Sequence, residues 1–222
     1  MKTTFFALSL LVMSCLFASC TTNEEQTLND FTEEQTNFLS ELEKIDVLSD
    51  SVALTQGETD GLILMREEEK MAHDVYADFY QKYKLNVFSN ITQSESRHTE
   101  AILYLINAYD LIDPATIEPG KFTNQEIQNL YNKFIADGIS DVEALKIGAF
   151  IEEYDIADLK KLISETQNEY IIKVYTNLLN GSKNHLKAFV SNLSARNIVY
   201  LPQILSETEF AEYTQTNRRG RR

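Results

Sequence analysis

The chain has 222 residues, 43% of them hydrophobic, with seven glycines and three prolines, a balance that suits one compact helical domain with appendages. Its formal charge of −14 argues against a nucleic-acid partner and fits an acidic exported surface that also draws cations. The only cysteines, Cys15 and Cys20, lie in a leader-like stretch, which leaves no thiol for a disulfide, zinc finger or iron-sulfur cluster in the rest of the chain.

In chain order, residues 1–19 read as an export signal: Lys2 precedes an apolar run from Phe5 to Phe17, and the small residues Ala18 and Ser19 come before Cys20. The segment Leu16-Phe17-Ala18-Ser19-Cys20 resembles a bacterial lipobox, which implies lipidation of Cys20, with Cys15 as a weaker alternative. The expected product is an exported lipoprotein, periplasmic or on the outer surface, held to a membrane only by its acyl chains, since no second run is long enough to span a bilayer. Residues 20–54 read as a tether with a short amphipathic helix near Phe31 to Ile45, opened by Thr32 and Gln35.

Residues 55–195 carry four long helical patterns. Thr55 and Glu58 make a capping box for the first, which runs to about Tyr83, and the second covers roughly Val87 to Tyr109. The connection from Asp113 to Ser140 is too long for adjacent antiparallel helices and carries a short helix opened by Thr123 and Glu126. Ser140 with Glu143 caps the third long helix, and Thr166 with Glu169 caps the fourth, which runs to about Leu193. The order is hairpin, long crossover, hairpin, followed by a C-terminal extension over residues 196–222 with a basic tail, Arg218 to Arg222.

Each long helix has an apolar stripe at 3-4 spacing with a polar break in its interior. The first runs Leu62, Met65, Glu69, Ala72, Tyr76, Phe79, and the second Phe88, Ile91, Glu95, His98, Ile102, Leu105. The third runs Leu145, Gly148, Glu152, Asp155, Leu159, and the fourth Ile171, Val174, Leu178, Gly181, His185, Phe189. Isolated charges in a core cost several kcal/mol each, so breaks on all four helices point to a shared divalent cation. Carboxylate and imidazole ligands suit iron, manganese or zinc, with iron or manganese the better match. Glu69, Glu95, His98, Glu152, Asp155 and His185 are the candidate ligands. Helix phase alone separates Glu152 from Glu153, and Glu67, Glu68 and Glu153 read as solvated or salt-bridged neighbours. His73 reads as a surface residue or one that supports a ligand, and Tyr76 and Tyr154 as packing residues near the metals.

A bundle of four helices with one long crossover is the ferritin-like arrangement, in which two helices each give a Glu and two each give a Glu-x-x-His. Glu69-Lys-Met-Ala-His-Asp-Val-Tyr76 resembles the first helix of rubrerythrin-type proteins and Glu95-Ser-Arg-His98 the second. Glu152 matches the third helix, and His185 in Ser182-Lys-Asn-His185 matches the histidine of the fourth. Together Leu62 to Phe189 is similar to a ferritin-like domain family of uncharacterised function found in bacteria and archaea. The resemblance implies an all-α, ferritin-like four-helix bundle with its crossover between helices two and three. It also implies a centre of two iron or two manganese ions that reacts with dioxygen or peroxide. Ser182 stands where that pattern expects a second glutamate. Asp155 is then either a substitute ligand or a residue that orients one, and a mononuclear or asymmetric centre stays open. The alternatives are a metal-storage lipoprotein without turnover and a metal-free helical adaptor; a homodimer is compatible with all three.

Overall fold

A computed structural model describes Phe38 and residues 53–215 of the chain. The expected export signal, Cys20, the basic tail and, apart from Phe38, the segment near Phe31 to Ile45 expected to form an amphipathic helix lie outside the described residues. Those residues form six helices and no strand: α1 (Gln56–Tyr83), α2 (Asn86–Ala108), α3 (Gln125–Asp137), α4 (Asp141–Glu165), α5 (Glu169–Ala195) and α6 (Glu207–Thr214). Among them no helix is long and apolar enough to cross a membrane.

The helix starts follow from local capping. Thr55 and Glu58 form the expected reciprocal box, and the Ser140 side chain accepts from the Glu143 amide. Two caps differ from expectation. Asn124, not Thr123, caps α3, and Asn168, not Thr166, caps α5; each asparagine side chain accepts from two amides of the first turn. The threonines are engaged elsewhere. Thr123 donates its hydroxyl to Glu67 Oε1 at 2.9 Å, and Thr166 donates to Glu58 Oε1 at 2.6 Å, which ties the α4–α5 turn to the start of α1.

Helices α1 and α2 pack along each other as one hairpin and α4 and α5 as another; α1 also meets α4, and α2 meets α5. The apolar interior falls into two clusters. One gathers Tyr76, Phe79, Phe88, Leu145, Leu186 and Phe189, and the other Leu62, Met65, Ile102, Leu105, Leu159 and Val174. Every one of these side chains is fully buried, and the polar residues of the four stripes lie between the clusters in sequence on each helix. Gly148 allows the close packing of α4 on α5, because a Cβ there would meet the Phe189 ring at 2.6 Å.

The crossover is clasped by the outer face of α1. Arg66 grips Asp113 with two parallel bonds of 3.0 Å, Lys70 donates to the carbonyls of Glu118 and Lys121, and Asp74 accepts from the Gly120 amide. Glu67, expected on a solvated face, is instead buried and accepts from the Thr123 and Asn124 amides at 2.6 and 2.9 Å. Glu153 is likewise buried, not solvated. It accepts from the Tyr200 hydroxyl and from the amides of Gln203, Ile204 and Leu205, so it fastens the C-terminal segment onto α4. That segment continues into α6, a helix the sequence reading did not anticipate, which packs on α5.

Removing one acceptor from four donors should be felt widely. Glu153→Ala is expected to lower stability by about 2–3 kcal/mol in urea unfolding, the range for orphaned partners of a charged hydrogen-bonding group. It should also expose residues 200–215 to limited proteolysis while α1 to α5 stay protected.

Candidate metal centre

Five side chains from four helices meet between the apolar clusters in an alternating row of carboxylates and imidazoles. Glu69 comes from α1, Glu95 and His98 from α2, Glu152 from α4 and His185 from α5, and all five are at most 2% exposed. Three residues is just under one helical turn, so Glu95 and His98 share the inner face of α2. His98 Nδ1 lies 2.7 Å from Glu95 Oε2 and 3.1 Å from Glu69 Oε2. His185 Nδ1 lies 2.9 Å from Glu95 Oε1 and 3.4 Å from Glu152 Oε2. Glu95 is therefore central, with one oxygen turned to each histidine, and the two rings stand 5.5 Å apart.

Neighbouring groups orient these residues. The Tyr76 hydroxyl donates to Glu152 Oε1 at 2.6 Å, and the Ser94 hydroxyl sits 2.9 Å from His185 Nε2, the nitrogen that faces away from the carboxylates. Ser94 was not picked out from the sequence. It is one residue from Glu95, and only the packing of α5 against α2 brings it to His185. Tyr154 lines the cavity at the site. His73 lies outside the row, half-buried, with its Nδ1 2.9 Å from Asp74 Oδ1.

Asp155 takes a separate place. It is buried one turn beyond Glu152 and accepts a hydrogen bond from the Ser182 hydroxyl, so the residue standing where a second glutamate was expected contacts the aspartate considered as its substitute. Ligand atoms close together in two triads, Glu69 with Glu95 and His98, and Glu95 with Glu152 and His185, each within 4.8 Å. Asp155 is in neither. With Glu68, Glu69, Glu95, Glu152 and Tyr154 it lines a cavity of about 10 Å³ at the row, the room one water-sized molecule needs.

The charges are strongly perturbed. Burial raises Glu69 to about 8 against the opposing pull of His98, and burial likewise raises Glu152. Burial would raise Glu95 too, but the His185 and His98 charges outweigh it and hold Glu95 well below the usual carboxylate range. Burial lowers the histidines, yet the flanking carboxylates prevail: His98 is held well above its ordinary value and His185 at about 9. The carboxylates thus favour a positive charge on both imidazoles, as they would favour a cation at the same positions.

The donor set fits a divalent metal. It offers carboxylate oxygen and imidazole nitrogen without thiolate, and Glu69 Oε1 is buried with no hydrogen-bond partner, an acceptor for which an ion is a natural complement.

Residues 58–217 match the family described as "Uncharacterized protein domain (DUF2202)". The chain belongs to this family. It is 47% identical over 161 residues to "Uncharacterized protein MJ0754" of Methanocaldococcus jannaschii, a match covering 72% of this chain and 87% of that protein. The fold is also similar to the crystal structure titled "hypothetical protein MJ0754 from Methanococcus jannaschii DSM 2661". There the TM-score is 0.74 at 44% identity, over 75% of this chain and 97% of the other.

Glu69 and His185 bind their protons more tightly in the folded chain than in the unfolded one. The stability they confer on the metal-free protein is therefore complete at low pH and is lost as pH rises, from 4.5 to about 8 for Glu69 and from 6.5 to about 9 for His185. Glu95 acts in the opposite sense, with stability lost only on acidification below 4.5. Thermal unfolding in chelator should give a lower Tm at pH 9 than at pH 6.5, and Glu69→Gln should flatten that slope.

Proposed function

We propose that the four long helices form a ferritin-like bundle around a two-metal centre, held by Glu69, Glu95, His98, Glu152 and His185, that oxidises ferrous ions with dioxygen or peroxide. The observation that carries this reading is the sharing of Glu95 between the two triads. Each of its oxygens faces one histidine, as a bridging carboxylate requires, and each triad adds its own terminal carboxylate. The Glu-x-x-His pair on α2, a single Glu on each of α1 and α4 and the long crossover agree with the ferritin-like pattern. Iron is the favoured metal, and manganese or zinc would suit the same donors.

A pair of redox-active ions would supply electrons two at a time to a small oxidant. The chain's own part is to bind, orient and select. Glu95 fixes the two positions relative to each other, and Tyr76 and Ser94 hold Glu152 and His185 in register. His98 and His185 must give up their Nδ1 protons when ions bind, so loading releases protons and weakens at low pH. The cavity at the row has room for about one water-sized molecule, which suits a small oxidant better than an organic substrate.

A second reading, metal storage by an exported lipoprotein without turnover, draws support from Ser182, which binds Asp155 and offers no carboxylate to the row. Metal analysis followed by anaerobic ferrous loading and exposure to oxidant separates the two. The expected result is two ions per chain and oxidant consumption; tight ions without consumption would favour storage, and no bound metal would leave a helical adaptor. Because Glu95 serves both triads, Glu95→Ala should empty both positions, whereas His98→Ala and His185→Ala should each weaken one by more than the roughly 10–100-fold that loss of a supporting residue costs.

A further inference from the structure

The small cavity at the row sits to one side of the bundle. Its walls come from α1 between Glu68 and Ala72 and from α4 between Ile151 and Asp155, with Glu95 the one contribution of α2 and none from α5. The row therefore meets open space in the seam between α1 and α4. Elsewhere polar pairs bridge the helices at this level: Glu69 with His98 between α1 and α2, Ser94 with His185 between α2 and α5, and Ser182 with Asp155 between α4 and α5.

One residue of the cavity wall differs from the rest. All the others are buried and Tyr154 alone is half-buried, so its side chain spans from the cavity toward solvent. On α4 it follows Ile151 by three residues and precedes Asp158 by four, the spacing of a single helix face. The charges that reach its hydroxyl come from several depths, buried Glu68, half-buried Asp158 and exposed Glu126 in the first turn of α3, and none of them is a hydrogen-bond partner. Tyr76, in the same seam, is held by Glu152 Oε1 at 2.6 Å. Tyr154 has no such bond among the described residues, so its ring can change rotamer without breaking one. Burial and the neighbouring acids push its phenol up to about 12, which leaves the ring neutral near neutral pH and lets it act by bulk.

We propose that Tyr154 is the gate of the row: small molecules reach it through the seam between α1 and α4, and the Tyr154 ring sets how large they can be. The consequence for an oxidant rests on the metal reading above, whereas access to the row is a property of the chain itself. The other walls are buried side chains packed within helices, so the ring is the part of the enclosure that moves with the least loss of packing. With the ring in place the space beside Glu69 and Glu95 suits one water-sized molecule, a class that includes dioxygen and hydrogen peroxide. A peroxide that carries a bulky alkyl group needs the room the ring occupies.

The test varies the size of the side chain at this position in the full chain. In chelator, nuclear magnetic resonance reads how fast the ring N–H protons of His98 and His185 exchange with water. Tyr154→Ala should speed that exchange at least about tenfold, equivalent to about 1.4 kcal/mol of lost ring packing. The amides of the buried core residues Leu105 and Leu178 should exchange as in wild type. Tyr154→Phe keeps the ring and should match wild type throughout. After ferrous loading, wild type should consume hydrogen peroxide but not tert-butyl hydroperoxide, and Tyr154→Ala should consume both. Unchanged ring-proton exchange in Tyr154→Ala would overturn the gate, and equal acceleration of the core amides would make Tyr154 a packing residue and overturn it as well. Tyr154→Phe behaving like Tyr154→Ala would overturn the role of bulk, and consumption of both peroxides by wild type would overturn size selection. A chain that binds no metal would overturn the metal reading, and the exchange rates alone would then decide the gate. Should Tyr154→Ala not fold, Tyr154→Leu, with less bulk than the ring, is read in the same way.

Discussion

The carboxylate of Glu95, removed from water and set between two imidazoles, is the interaction on which the interior depends. A lone carboxylate at that depth would cost several kcal/mol, and neither apolar cluster could absorb it. Here each oxygen has a cationic neighbour, and each neighbour is held on its far side by another carboxylate. The row also joins the hairpins. Glu69 and His98 belong to α1 and α2, Glu152 and His185 to α4 and α5, and Glu95 alone faces both histidines. Its strength therefore depends on what balances the carboxylates, which in the metal-free chain is the charge of the two imidazoles.

The outer surface of α1 does comparable work at the crossover. Arg66, Glu67, Lys70 and Asp74 each meet a different part of the crossover, and each charged group finds backbone or side-chain partners. The long connection therefore adds a firm layer over one side of the molecule. Glu153 achieves the same on α4 by collecting four donors from the C-terminal segment. Burial of these acids is tolerable because every oxygen is met.

The four long helices and the inward set were legible because periodicity is a strong signal: a residue at the centre of a 3-4 stripe has one direction to point. Glu69, Glu95, His98, Glu152 and His185 all lie on such stripes and all meet. Less was legible where a side chain had rival partners. Thr123 and Thr166 match capping boxes in sequence, but tertiary acceptors, Glu67 and Glu58, take their hydroxyls, and the neighbouring asparagines cap the helices instead. Glu67, Glu68 and Glu153 looked solvated because nothing local marks a charge that a distant loop or another acid will cover. The C-terminal helix was missed for a related reason, since its place is set by contacts with α4 and α5.

The run Glu67-Glu68-Glu69 projects one carboxylate to the crossover, one toward α4 and one to the row, at steps of roughly 100° around the same helix. The three positions are chemically identical and sterically non-interchangeable. A single residue inserted or deleted between Glu69 and Asp74 would turn every downstream side chain by that step, so Glu69 could not keep its place while Asp74 kept hold of Gly120. This stretch of α1 is thus closed to changes in length, and variation in the family should enter there by substitution and collect its insertions in the turns.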